Sequence, residues 1–123
     1  MEYTLQMGDD GILRARFVGD VDQDGWQDYA NAYQAYLEAA PPGQPLHFLV
    51  DASRLGKMSA AARKLVLASF RNPDPRIGRT AMLSASPYAR VLVGFILKAT
   101  GCDDIRFFAS EEEALAWLRG ESA

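Results

Sequence analysis

The chain has one cysteine and one histidine among 123 residues, and each scarcity removes a class of explanation. A lone thiol, Cys102, cannot close an internal disulfide, and no cysteine or histidine cluster has metal-ligand spacing. Neither a disulfide framework nor a metal site is expected, and nothing calls for a cofactor. Such cysteine usage fits a reducing compartment. No stretch approaches the roughly 20 apolar residues of a membrane span, so no transmembrane segment is expected. The first residues, MEYTLQMGDDG, alternate and are acidic where a secretory leader would be basic and then continuously apolar. A cytoplasmic location follows by elimination.

Signatures of catalysis are equally scarce. No G-x-G-x-x-G, no G-x-x-x-x-G-K-[ST] and no G-x-S-x-G is present. His47, the only imidazole base for a serine or cysteine nucleophile, lies inside the apolar run Leu46–Val50, where a hydrogen-bonded core role is expected. Cys102 has no partner thiol in sequence and no neighbouring base. The acidic groups Asp9-Asp10, Asp103-Asp104 and Glu111-Glu112-Glu113 fall in turns or at a helix start, where capping and the helix dipole account for them. The chain is therefore not expected to be an enzyme.

What is present is enough apolar material, 49% of residues, for one continuous core, so residues 1–123 read as a single domain. Charge is unevenly spread: residues 1–53 carry net −7, residues 54–98 net +8, and residues 99–123 net −4. Neighbouring segments whose surface charges partly neutralise explain this most simply, and an anion-binding or acidic-partner surface is the functional alternative. The overall charge of −3, with aromatics mostly at core spacing, argues against nucleic acid.

Periodicity gives the element order. Tyr3, Leu5 and Met7, then Leu13, Ala15 and Phe17, alternate around Asp10-Gly11 as an antiparallel hairpin would. Trp26, Tyr29, Tyr33 and Leu37 fall on one helical face, which Pro41-Pro42-Gly43 terminates. Leu46–Val50 reads as a short central strand ending at Asp51. Ser59 caps a helix to Phe70, residues 80–84 form a strand, and Ser86-Pro87 opens a helix that Gly101 closes. Ile105–Ala109 is a final strand, and Ser110 with Glu113 starts a last helix. The predicted fold class is α/β, ordered β-β-α-β-α-β-α-β-α, with a mostly parallel sheet, an antiparallel N-terminal hairpin and helices packed on the sheet.

Two places remain for function. Open parallel sheets bind ligands where loops leave the carboxyl ends of strands. Here those loops carry Asp51, Ser53, Arg54, Lys57 and Ser59, with Arg63 one turn on, then Ser84, Ser86 and Arg90, a candidate ligand or anion site. The second place is Val91–Leu97, apolar all round, spanning about 10 Å at 1.5 Å per residue. Its excess apolar face, with Val93, Phe95 and Leu97 as interface candidates, must meet the core, a protein partner or second copy, or an apolar ligand or membrane surface.

Leu49-Val50-Asp51, entering a loop that ends at Lys57-Met58-Ser59, and the closing Phe107-Phe108-Ala109-Ser110-Glu111-Glu112-Glu113-Ala114-Leu115-Ala116-Trp117-Leu118 resemble the STAS-like family. That group comprises the anti-sigma-factor antagonists and related bacterial single-domain proteins, whose fold is shared with lipid-binding CRAL-TRIO domains. Its regulatory members carry Asp-Ser-Ser-Gly at the start of the second helix, where serine phosphorylation switches partner binding. Ser59, Ala60, Ala61 and Ala62 occupy those positions here, and both motif serines are alanines. The resemblance implies a non-enzymatic protein-interaction module without that phosphorylatable motif. A carrier or sensor for a small apolar or anionic ligand is the alternative.

Overall fold

The computed structural model describes residues 1–83 and 86–120. The elements run β1 (Glu2–Met7), β2 (Leu13–Val21), α1 (Gln23–Ala39), β3 (Leu46–Met58), α2 (Ala60–Arg71), β4 (Ile77–Leu83), α3 (Pro87–Thr100), β5 (Ile105–Phe108) and α4 (Glu111–Leu118). This is the α/β order expected from the sequence. Ser84, expected both to end a strand and to line a crevice, lies outside the described residues.

Helix starts follow from capping chemistry. The side chains of Asp22, Ser59, Ser86 and Ser110 each accept the backbone N–H three residues on, satisfying a donor the helix itself cannot. The hairpin between β1 and β2 turns where the Gly8 carbonyl accepts from Gly11 N–H at 3.1 Å, with Gly11 in the left-handed region at φ 78.

The five strands lie in chain order, β1-β2-β3-β4-β5, with β1 antiparallel to β2 and the rest parallel. Each crossover steps to the next position in the same direction, so right-handed connections put α1, α2 and α3 on one face. Leu13, Phe17, Phe48, Val50 and Met82 form a core there with Tyr29 and Leu37 of α1 and Val93 of α3. The opposite face, through Ile12, Leu49 and Ala81, meets α4, which contributes Ala114, Trp117 and Leu118. The Trp117 ring is in contact with two guanidinium groups, Arg79 at 5.1 Å and Arg106 at 5.7 Å from its centroid. Arg79 Nη1 also donates to the Trp117 carbonyl at 2.7 Å.

The third strand departs from expectation. It does not stop at Val50 but continues to Met58, so Asp51, Ser53 and Lys57 lie in a strand and not in a loop. Its inner half pairs with β2 and β4, whereas residues beyond Asp51 pair with β2 alone among the described residues. The register slips twice along that outer half, each time with an extra residue in β3. A bulge frees a backbone N–H, and a side chain takes up a donor at each slip. Asp51 Oδ1 accepts from Ser53 N–H at 3.0 Å, and Asp20 Oδ1 accepts from Lys57 N–H at 2.8 Å. The register between β3 and β4 also slips, opposite His47, and there His47 Nδ1 accepts from Arg79 N–H at 2.8 Å. Polar residues that imitate a loop in sequence are the acceptors that let a strand bulge.

Candidate functional site

The residues singled out around the carboxyl ends of the strands do meet, but most are already committed. Tyr88 Oη, in the first turn of α3, accepts from Met58 N–H at 3.1 Å, which brings the starts of α2 and α3 together. Ser59 Oγ accepts from Ala62 N–H and Ser86 Oγ from Ala89 N–H, so both hydroxyls serve as caps. Asp51 accepts from the Ser53 hydroxyl at 2.7 Å and lies 3.9 Å from Arg16 Nε. Arg90 places its guanidinium 5.2 Å from the Phe107 ring centroid. Lys57 and Arg63 have exposed side chains.

The apolar third helix divides three ways. Val93 is 9% exposed and belongs to the core, which corrects its reading as an interface residue: it faces the sheet with Ala89 and Ile96 at helical spacing. Leu97 is partly buried against the same core. Phe95 alone of the three interface candidates stands out into solvent, 67% exposed, with Val91 beside it one turn earlier at 75%. Val91 carries as much of the signal as Phe95, and the i, i+4 spacing of the two could have singled it out.

A larger feature joins residues from most of the fold. Between the sheet and the layer of α1, α2 and α3 runs a chamber of about 850 Å³, partly open to solvent. Phe48, Val50 and Met82 form its floor, Tyr29 and Tyr33 come from α1, and Val66 and Ile96 come from α2 and α3. Charged lining residues gather at Arg71, Asp74, Asp103 and Asp104, in the segments that precede β4 and β5. The lining thus reaches from Val21, Leu55 and Met58, beside the carboxyl-end segments where the sequence places the site, to the amino ends of β4 and β5, where its charged groups lie. Asp74 accepts a hydrogen bond from Arg76 at 2.6 Å, and that pairing holds its carboxyl below the usual carboxylate range. Burial pushes the Tyr29 and Tyr33 phenols above their ordinary value. His47 faces away from this layer, and burial, with the charge of Arg79, keeps its imidazole below the usual range.

Chambers of this volume and apolar lining suit small molecules, whereas an ordinary packed core does not leave such space. No cluster of His, Cys, Asp or Glu among the described residues could hold a metal ion, and none of the helices is long and apolar enough to cross a membrane.

No curated protein sequence matches the chain. Solved structures share its fold. The anti-sigma factor antagonist SpoIIAA in its unphosphorylated form is 23% identical with a TM-score of 0.70, and 97% of each chain is covered. An uncharacterized protein with a SpoIIAA-like fold from Shewanella loihica PV-4 is 17% identical with a TM-score of 0.70, covering 95% of this chain and 92% of its own. An anti-sigma factor antagonist from Mycobacterium paratuberculosis is 18% identical with a TM-score of 0.60, covering 96% and 95%. A family model described as SpoIIAA-like matches residues 12–119, nearly all of the layered sheet described above, and the chain belongs to the SpoIIAA-like family.

Proposed function

We propose that this chain is a non-catalytic binding module that takes up a small apolar molecule between its sheet and the α1–α3 layer. The observation that carries the reading is the chamber of about 850 Å³, whose inner wall is built from Phe48, Val50, Val66, Met82 and Ile96. Apolar wall exposed to water gains free energy when an apolar body covers it, at about 25 cal/mol per Å². The anionic half of the ligand alternative has less support, because the hydroxyls of Ser59 and Ser86 and the carboxylate of Asp51 are engaged within the fold.

Uptake is measured by the fluorescence of the neutral probe N-phenyl-1-naphthylamine. The wild-type protein is expected to bind it, and Leu92→Trp, which fills the chamber from α3, is expected to weaken binding by about tenfold or more. Phe95→Ser, outside the chamber, should leave uptake unchanged. Absence of probe binding to the wild type, or equal binding by Leu92→Trp, rejects the reading. Native mass spectrometry of freshly purified protein reads the same question through a co-purifying small molecule.

A second reading rests on a separate observation, the exposed pair Val91 and Phe95 on a helix without acidic residues, flanked by Arg90 and Lys98. It makes the chain a regulatory module acting through protein contacts, in keeping with the anti-sigma factor antagonists that share its fold. On this reading the contact operates without a phosphorylation switch at the start of α2, where three alanines follow a serine whose hydroxyl caps the helix. Sedimentation velocity tests the self-associating form: Phe95→Ser should abolish any dimer, and a wild type that stays monomeric at high concentration counts against it.

A further inference from the structure

Tyr29 is the most enclosed polar side chain of the chamber, 4% exposed, yet its hydroxyl makes no hydrogen bond with the described residues. Its ring is held from four sides, with centroids of Tyr3 at 5.5 Å, Phe17 at 4.7 Å, Trp26 at 5.2 Å and Tyr33 at 5.2 Å. No fully enclosed side-chain oxygen or nitrogen among the described residues lacks a partner, so this hydroxyl opens onto accessible space, and Tyr29 is one of the residues that line the chamber. An apolar ligand that displaces water from this hydroxyl leaves a donor without an acceptor, a cost that an oxygen on the ligand would recover.

The charges around the chamber restrict what that acceptor can be. Of the charged lining residues Asp74 is already paired with Arg76, which leaves the Arg71 guanidinium against the carboxylates of Asp103 and Asp104. A carboxylate or phosphate head would lie unpaired inside or meet a net acidic opening, and an unpaired buried charge is strongly disfavoured.

We infer that the chamber selects neutral molecules with an apolar body and one carbonyl or ether oxygen, which accepts a hydrogen bond from Tyr29 Oη, and that it discriminates against the matching carboxylates. This rests on the uptake of an apolar molecule proposed above and specifies its chemical class. Burial keeps the phenol protonated, and hence a donor, across the accessible pH range.

Three probes of one shape separate the possibilities: 2-acetylnaphthalene, 2-ethylnaphthalene and 2-naphthoate, titrated at pH 7.5 into the whole chain and followed by NMR. The ketone is expected to bind about tenfold more tightly than the hydrocarbon, and the carboxylate no more tightly than the hydrocarbon. In Tyr29→Phe the ketone should lose its advantage while the hydrocarbon binds as before. The carbonyl stretch of the bound ketone should also lie at lower frequency than in hexane, a reading that needs no variant. Tightest binding by 2-naphthoate, an unshifted carbonyl stretch, or a ketone preference that survives Tyr29→Phe overturns the inference while leaving apolar uptake intact. Binding of none of the three overturns both.

Discussion

The two faces of the sheet are covered by different means. On one side α4 alone lies across β3, β4 and β5, yet its Trp117 is 8% exposed, in contact with the guanidiniums of Arg79 and Arg106, with Phe108 at 5.5 Å and its own carbonyl tied to Arg79. On the other side three helices cover the sheet and still leave a chamber. The number of helices does not decide how well a face is sealed. A single helix held by directional contacts packs closely, whereas three helices must also pack against one another, and their mutual spacing holds them off the strands. The α4 face is closely packed at Trp117, and the other face keeps the open volume on which the proposed uptake rests.

Paired truncations are the strongest way to break that contrast. Trp117→Ala should destabilise the protein by about 4 kcal/mol in urea unfolding, because it removes a buried aromatic and both of its cation contacts. Val66→Ala, buried in the chamber wall, should cost only about 1 kcal/mol, since the methyl groups it removes border space already present. Equal losses at the two positions would show that the faces are packed alike.

The next effect concerns the bulge between β3 and β4. A Cβ at Gly78 would overlap the His47 ring, so Gly78→Ala should cost about 2 kcal/mol and displace the imidazole from Arg79 N–H. Retention of wild-type stability would mean that this part of the sheet is as yielding as the chamber layer.

The smallest effect is a pH dependence. The His47 imidazole is held below its usual value, so the fold favours its neutral form. The stability it contributes is present above its unfolded value of about 6.5 and is lost as pH falls through the lower folded value. His47→Gln should flatten the stability profile in that window while leaving the acid limb below about pH 4. That limb includes Asp10, whose carboxyl Arg14, the Ile12 N–H and Arg119 hold below the usual range. An unchanged slope between pH 7 and 5 in the variant would sever the link between this histidine and the sheet.

Most of the fold was legible because its boundaries are written locally. Asp22, Ser59, Ser86 and Ser110 announce helix starts through a side chain and a backbone group three residues apart, and Gly101, at φ 70, ends α3 where expected. The outer half of β3 was not legible. Ser53, Arg54, Gly56 and Lys57 have loop composition, and only pairing with β2, with β3 itself bulging twice, makes them a strand. Val93 was misread for a related reason: in an all-apolar helix, periodicity cannot say which face meets the sheet. The candidate site was least visible of all. Its wall residues Tyr29, Phe48, Val66 and Ile96 each read as ordinary core, and the chamber arises from the spacing of three helices, which no local pattern encodes.

Strand order that copies chain order has a bearing on biosynthesis. A ribosome releasing this polypeptide from its amino end delivers each strand directly beside the last, so the sheet with its α1–α3 layer can assemble progressively without long-range threading. The reverse side, with Ile12, Leu49 and Ala81, stays bare until residues 111–118 emerge, which makes α4 the closing step and its delay the interval when nascent chains are most prone to stick.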